Sequence, residues 1–506
     1  MSHSPEPAVA DDDAVTPASL QSAARQPGRV GLLTQPPRFW NLAFTDLWER
    51  FSFYSLQALL SYYLLYDVAD GGLAVSAAVV AGVVGTYGAL AQLAQIVGSW
   101  MADRLVAPKK LVLYGGSLIA LGHISLGILP GFVGLFVGLG LIIVGTGALK
   151  TNLAAILGIL YDADPTMEPR RDAGFTIYLA ATNTGVVIGP LLAGLAQTTW
   201  GFHAGFAVAA VGMFLGLAQY CLVYKRLPVG AAQVVRPLPP EGRGTIAKVV
   251  SMLVVVAVGL YFTGALDGEN LATTVGIVVV VVIITYYTVM LRSKAVTAEE
   301  KTRLRGLSQL SAAGLVFYGF QFLIFTTVPL FVTDSVDLAI GGWEIPPAWF
   351  VSASAVGSIA ASPFVSALWN RMGIRQPSAM SKNAVAFALS AIGFLILGLA
   401  AQTSTTVPAL LVLGCLIVLG IAEVFLGPLL FAMGSKCMPV AFRTQGLAIM
   451  SLSIGGGSVL AGIWGGIYTH MSSATFFLTG AAVCAVIAGV LRLAAPANHR
   501  AVSTFE

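Results

Sequence analysis

Long apolar segments separated by short turns occupy the chain from about residue 38 onward. Each is on the scale of the roughly 20 apolar residues that a helix needs to cross a bilayer. The pattern predicts fourteen spanning helices, at 38–66, 73–102, 109–129, 131–160, 172–197, 202–225, 246–266, 271–291, 306–333, 346–370, 378–401, 406–435, 443–469 and 473–494. The chain is therefore predicted to be an all-α integral membrane protein.

The placement of lysine and arginine predicts how these spans are oriented. Of the 27 lysine and arginine residues, only Arg50 and Lys150 lie in the interior of a span. The rest lie in the two tails and at alternate turns, which we call the basic face, and the opposite turns contain none. The positive-inside rule then predicts a multi-pass protein of the cell (inner) membrane with both termini in the cytoplasm.

A faint internal repeat divides the spans into two groups. The second span ends in Asp103-Arg104, and the corresponding span of the later part ends in Asn370-Arg371, each followed by basic residues. This indicates two six-helix bundles with an inserted helix pair between them, an arrangement common in secondary carriers. Asp103 and Arg104 are interpreted as a conformational latch, with a solvated helix end as the alternative.

The predicted organisation follows from these boundaries. It comprises a disordered cytoplasmic tail (1–36), an N-terminal six-helix bundle (37–228), a linker with the inserted transmembrane pair (229–303), a C-terminal six-helix bundle (304–495) and a cytoplasmic tail (496–506).

Composition narrows the function to membrane transport. Hydrophobic residues make up 57% of the chain and charged residues 10%, against about 25% charged in soluble domains. No polar segment is long enough to hold an enzyme domain, and no Walker, HExxH or GxSxG motif is present, so an enzyme is not expected. The net charge of +4 reflects membrane topology and not nucleic-acid binding. The four cysteines lack metal-ligand spacing, so neither a disulfide framework nor a metal site is expected.

Five charged side chains lie at predicted membrane depth, where ionisable residues are costly and mark substrate or ion pathways. Asp46, Glu49 and Arg50 share one face of the first helix, with Asp46 and Arg50 four residues apart and able to pair. Lys150 lies in the fourth span and Glu423 in the tenth span of the two bundles. Three carboxylates face two cations, so one carboxylate is left uncompensated in a low dielectric, where it favours its protonated form. Proton coupling is therefore the hypothesis.

Several motifs resemble those of the proton-dependent oligopeptide transporter family of the major facilitator superfamily. The run from Asp46 to Tyr54 resembles that family's ExxERFxYY motif, and Gly98 to Lys110 resembles the superfamily motif between the second and third helices. The stretch from Arg170 to Tyr178, continuing to Asn183 and Pro190, is similar as well, as is Glu423 with Pro428. The resemblance covers the chain from about residue 38 and implies a major facilitator fold with fourteen transmembrane helices.

The resemblance also implies roles for individual residues. Asp46 and Glu49 would couple protons to transport, with the proton as coupling ion and no other cofactor. The substrate, a small peptide or peptide-like molecule, would be bound by Arg50, Tyr54, Tyr87, Lys150, Asn183, Gln321 and Glu423. The expected partners are this substrate, protons and the lipid bilayer, and the carrier is expected to work as a monomer.

Departures from the family pattern leave other functions open. Asp46 replaces a glutamate, Gln321 stands where the family often has an acid, and an eighth-helix Asn-Pro pair is missing near residues 352–355. The favoured function is a proton-coupled importer of di- and tripeptides. The alternatives are a major facilitator carrier for a non-peptide metabolite or drug and a membrane receptor that does not transport.

Overall fold

A computed structural model describes residues 35–163, 171–404, 406–439, 442 and 446–502. The predicted tail 1–36 and the last part of the tail 496–506 therefore lie largely outside the described residues. The long helices are α1 Pro37–Leu65, α2 Ala77–Arg104, α3 Pro108–Ile128, α4 Gly131–Asp162, α5 Arg171–Trp200, α6 Phe202–Val223, α7 Pro240–Phe262, α8 Leu271–Arg292, α9 Ala298–Gln321, α10 Thr327–Ser335, α11 Trp349–Met372, α12 Ala379–Thr403, α13 Ala409–Cys437, α14 Gly446–Tyr468 and α15 Ser473–Val502. Short 3₁₀ turns lie at Val68–Asp70, Tyr224–Arg226, Val229–Ala232, Phe322–Ile324 and Gly373–Arg375.

These helices confirm the predicted all-α membrane fold. Among the described residues, 12 helical segments are long and apolar enough to cross a membrane, with α9 and α10 counted as one segment. The charged helix α1 and the helix α7 stand outside that set. Together they occupy the fourteen positions that the hydrophobic pattern predicts.

One predicted span, 306–333, differs from the structure. Its helix begins earlier, at Ala298, because Thr297 and Glu300 form a capping box, in which each side chain satisfies a backbone N–H of the first turn. The helix stops at Gln321, and a 3₁₀ turn over Phe322–Ile324 precedes α10. The span is thus two helices joined at membrane depth, where tighter hydrogen bonds replace the α-helical ones.

The helices pack in two groups that correspond to the two parts of the chain. In the first, α1 packs on α5 and α6, α3 packs on α4 and α6, and α2 packs on α4. In the second, α12 packs on α13 and α15, α11 packs on α13, and α9 packs on α14. Among the described residues, the groups are joined mainly by α2 with α14 and by α5 with α11, and also by a smaller contact of α1 with α10. The inserted helix α8 lies against α14, α2 and α9.

The short strands lie in the turns on the side opposite the basic face. β1 Val336–Asp337 pairs in parallel with β4 Val407–Pro408, and β2 Ala339–Ile340 pairs antiparallel with β3 Trp343–Glu344. The β2–β3 hairpin turns through Gly341 and Gly342, whose φ angles are +59° and +84°. Positive φ at both central positions is the geometry of a two-residue hairpin turn that matches strand twist.

Hydrogen bonds between the two groups gather on the side away from the basic face. The Ser61 hydroxyl donates to the Phe325 carbonyl, and the Trp349 indole donates to the Leu191 carbonyl at 2.9 Å. The Ser458 hydroxyl donates to the Gly85 carbonyl at 2.9 Å. Each of these helices approaches its partner in the half nearer the non-basic turns. The two groups are therefore held together at that side.

Candidate functional site

The charged face of α1 lies against α4 and α5. Arg50 Nε lies 3.4 Å from Asp46 Oδ2, as the four-residue spacing predicts. Arg50 Nη1 donates to Asn183 Oδ1 of α5, also at 3.4 Å. The Asp46 side chain is 3% exposed, whereas that of Arg50 is 21% exposed in the middle of a spanning helix. The guanidinium is thus presented for binding while its carboxylate partner lies behind it.

Glu49, on the same helix, pairs with a cation of another helix. Lys150 Nζ of α4 lies 3.8 Å from Glu49 Oε2, and the carboxylate side chain is only 1% exposed. Neither Glu49 oxygen has a hydrogen-bond partner among the described residues. The ammonium also lies 4.9 Å from the centre of the Phe53 ring, a cation–π distance. Among the described residues Glu49 therefore has one ion-pair partner, Lys150, and no hydrogen bond.

Two aromatic residues predicted to line the pocket lie beside these charges. Phe53 stacks on Tyr87 with ring centres 5.8 Å apart, and the Tyr87 hydroxyl is buried without a partner among the described residues. Tyr54 lies one helical turn after Arg50 on the same face of α1, with its ring 6.2 Å from that of Phe325 at the break between α9 and α10. The structure brings Tyr54, Tyr87 and Asn183 to the charged face of α1, where their predicted roles stay untested.

The second group of helices contributes Glu423. This residue lies in the middle of α13, five residues before Pro428, and is half-buried. The charge of Arg50 acts on Glu423 across the space between the groups, and Glu423 acts in turn on the Tyr54 phenol. The site therefore has cations on the first group of helices and a carboxylate on the second.

The side-chain amide of Gln321 is hydrogen-bonded to a neighbouring helix. Its Nε2 donates to the Leu419 carbonyl of α13 at 3.0 Å, and the residue is 8% exposed. The amide N–H therefore joins α9 to α13.

The predicted latch residues lie at the basic end of α2. Asp103 is exposed and Arg104 half-buried. Their carbonyls accept hydrogen bonds from the backbone N–H groups of Arg236 at 2.9 Å and Leu238 at 3.0 Å. Neither side chain forms an ion pair with a side chain that the structure describes. The turn anchors the linker that leads to the inserted helix pair.

Two tyrosines at the site were not among the predicted residues. Tyr178 of α5 lies beside Asp46 and Arg50, and Tyr318 of α9 faces Glu423. Both lie in apolar segments, where a tyrosine is an ordinary packing residue. Tyr318 precedes Gln321 by three residues, so a helical-face argument could have placed it beside that residue.

The described part of the chain contains no group of three or more histidine, cysteine, aspartate or glutamate side chains arranged to hold a metal ion. The site chemistry is that of ion pairs, aromatic rings and amides.

Comparison with known proteins gives consistent matches. Residues 109–480 match the family model described as POT family. A di-/tripeptide transporter of Lactococcus lactis subsp. cremoris is 32% identical over 439 residues, covering 83% of this chain and 87% of that protein. The uncharacterized transporter YclF of Bacillus subtilis (strain 168) is 30% identical over 488 residues, covering 95% and 98%. A crystal structure of a peptide transporter POT in complex with alafosfalin aligns with a TM-score of 0.88 at 32% identity, covering 95% of this chain and 99% of that one.

Proposed function

The chain belongs to the POT family, and from that premise we propose that it is a proton-coupled symporter that imports di- and tripeptides or peptide-like molecules. The observation that carries the proposal is the division of charge across the site. Arg50 and Lys150 lie on the first group of helices, and Glu423 lies on the second. A small zwitterion has the complementary pair of charges.

Binding of a zwitterion would use the two exposed cations and the distant carboxylate. The Arg50 and Lys150 side chains are 21% and 20% exposed, so each retains donors for a carboxylate. A guanidinium can bind a carboxylate through two parallel N–H groups. Glu423 would accept from the ammonium at the other end of the substrate. One bound peptide would thus join the two groups of helices.

Alternating access follows from the position of the contacts between the groups. With both termini in the cytoplasm, the basic face is cytoplasmic and the hydrogen bonds from Ser61, Trp349 and Ser458 close the outer side. We assign the structure to an inward-facing state on this basis. Transport would then require the α2–α14 and α5–α11 contacts to open.

Proton coupling is assigned to the carboxylates of α1. Glu49 is fully buried, and among the described residues Lys150 is its ion-pair partner, so a proton on Glu49 would release the ammonium. A substrate carboxylate could then take the place of Glu49 beside Lys150. Asp46 would act in the same way on Arg50, although its i,i+4 pairing lies within one helix.

Uptake of dialanine and trialanine into proteoliposomes, with and without an inward proton gradient, tests the proposal. We expect accumulation only with the gradient, loss of accumulation in Arg50→Ala, and no accumulation against a gradient in Glu49→Gln. Arg292→Ala, an exposed arginine at the end of α8, is the matched control. Folded wild-type protein that ignores both peptides would refute peptide transport, and Glu49→Gln that still concentrates dialanine would refute the coupling role.

A further inference from the structure

Two helical faces meet beside Glu423. On α9, Tyr318 and Gln321 are three residues apart, a spacing that places side chains on one face. On α13, Leu419, Glu423 and Gly427 follow at four-residue intervals and also share a face. The two helices run in opposite directions, so Gln321 lies opposite Leu419 while Tyr318 lies opposite Gly427.

At this contact the Gln321 side chain forms a hydrogen bond to the backbone of α13. Its Nε2 donates to the Leu419 carbonyl at 3.0 Å. Leu419 lies one helical turn before Glu423, so the bond fixes the height of α9 against α13 at the level of the carboxylate. With 8% of its surface exposed, Gln321 has little area to offer a substrate.

The Tyr318 hydroxyl lies alongside Glu423 because residue 427 is glycine. A Cβ built on Gly427 would lie 3.1 Å from the Tyr318 hydroxyl and 3.8 Å from Glu423 Cγ. The phenol and the carboxylate side chain therefore border the same small volume, which any larger residue would fill.

The Tyr318 ring is held in this orientation from several sides. Its centre lies 5.8 Å from that of Phe317 in an edge-on arrangement and 5.7 Å from that of Phe322. Behind it, α14 approaches so closely that a Cβ on Gly457 would lie 2.5 Å from Tyr318 Cβ. A ring fixed in this way presents its hydroxyl with little loss of side-chain entropy on binding.

Two acceptor groups, Glu423 and Tyr318, border this volume, and Tyr54 lies within electrostatic range of both. The charge of Glu423 acts on the phenols of both Tyr318 and Tyr54, and the Tyr54 phenol acts on that of Tyr318. A substrate ammonium has three N–H donors, and a phenol oxygen accepts as well as donates. One carboxylate and two phenol oxygens, from α13, α9 and α1, match those donors in number and in charge.

We propose that Tyr318, and not Gln321, is the α9 side chain that binds the amino end of the substrate, together with Glu423 and Tyr54. The inference rests on the proposed function, since it assumes a peptide in this site. It makes Tyr318 a determinant of specificity for substrates with a free ammonium group. N-acetylation leaves one uncharged N–H, which cannot use all three acceptors.

Binding measured in detergent tests the inference without requiring transport. Ligand-induced thermal stabilisation, which rises with the ratio of ligand concentration to Kd, is titrated with dialanine and with N-acetyl-dialanine. We expect Tyr318→Phe to weaken dialanine binding about tenfold, the effect of one hydrogen bond to a charged group. Binding of N-acetyl-dialanine should stay as in the wild type.

Two further variants separate recognition from packing. Gly427→Ala keeps every polar group but displaces the Tyr318 hydroxyl, so it should also weaken dialanine selectively, and it serves where Tyr318→Phe does not fold. Gln321→Met removes the bond to Leu419 and should lower the melting temperature while changing the affinity for both ligands by the same factor.

Two outcomes would overturn the assignment of Tyr318. Wild-type affinity of both Tyr318→Phe and Gly427→Ala for dialanine would remove Tyr318 from the site, and a loss confined to dialanine in Gln321→Met would return the role to Gln321. If the wild type binds dialanine but does not take it up with a proton gradient, the proposed function fails while the assignment of Tyr318 stands or falls on the variants.

Discussion

Gly462 of α14 lies where the two groups of helices touch, and its replacement by alanine tests the assignment of the closed side. A Cβ at this position would meet the Ala81 carbonyl oxygen at 2.8 Å and Gly85 Cα at 3.3 Å, both on α2. Gly466 lies one turn further along the same helix, and a Cβ there would meet nothing within 4 Å. The two glycines provide a matched pair that differs only in the contact across the groups.

The expected magnitude follows from the overlap. The 2.8 Å contact is about 0.6 Å shorter than the 3.4 Å at which ordinary van der Waals contact begins. Because the opposing atoms belong to backbone, the helices must separate to relieve it. Overpacking of this kind costs about 1 to 3 kcal/mol, which shifts an equilibrium between closed and open forms about 5- to 150-fold. The gain in helix propensity from glycine to alanine, about 1 kcal/mol, is common to both variants.

Distances between spin labels at Val68 and Met471, exposed positions on the non-basic turns of the two groups, report the opening. Cys221, which is exposed, is first replaced by serine so that only the introduced cysteines are labelled. We expect Gly462→Ala to add a population at longer distance, and Gly466→Ala to match the parent protein. Identical distance distributions in the two variants would refute the conclusion that the α2–α14 contact holds this state.

Three further predictions follow from single contacts. Lys150→Met removes the cation beside the buried Glu49, so gradient-driven accumulation of dialanine should be lost, while peptide counterflow without a gradient should continue at a higher KM because Arg50 still offers a site for the substrate carboxylate. Tyr287→Phe removes the 2.6 Å bond to Ser311 that ties α8 to α9 and should lower unfolding free energy by about 1 kcal/mol, measured by denaturant titration, with the KM for dialanine unchanged. His123→Leu should raise the melting temperature, because both ring nitrogens are fully buried without a hydrogen-bond partner among the described residues and such groups cost about 1 to 3 kcal/mol.

Regular features of the fold follow from local sequence. The start of α4 at Gly131 and of α6 at Phe202 agree with the hydrophobic pattern, because long apolar runs end where turn residues begin. The Asp46–Arg50 pair also follows from helical spacing alone. Each of these features depends on a single helix, so the apolar pattern and the helical period of 3.6 residues are enough to predict it.

The break in the ninth span could not be predicted in this way. The helix ends at Gln321 inside an apolar run, and Phe325 and Thr326 donate to carbonyls three residues earlier instead of four. Gly319 lies inside the helix before this point, Pro329 lies within the next helix, and neither stands at the break itself. At the break, the Phe322 and Phe325 rings pack against each other and against Tyr318 and Tyr54. This is tertiary packing, which cannot be predicted from the hydropathy of the segment.

The same distinction separates the two polar residues of α9. Sequence position alone favours Gln321 as the ligand, since it has the more polar side chain at a position where the family resemblance implies an acid. The Gln321 amide donates to a backbone carbonyl of α13. Every residue has a backbone carbonyl, so the sequence of α13 does not show which one accepts this bond. Tyr318 gains its access to Glu423 from Gly427, more than a hundred residues away in the chain. A side chain in a carrier is therefore assigned to the substrate only after its hydrogen bonds to backbone groups are known. The Gln321 amide already donates to the Leu419 carbonyl, so we do not assign it to the substrate.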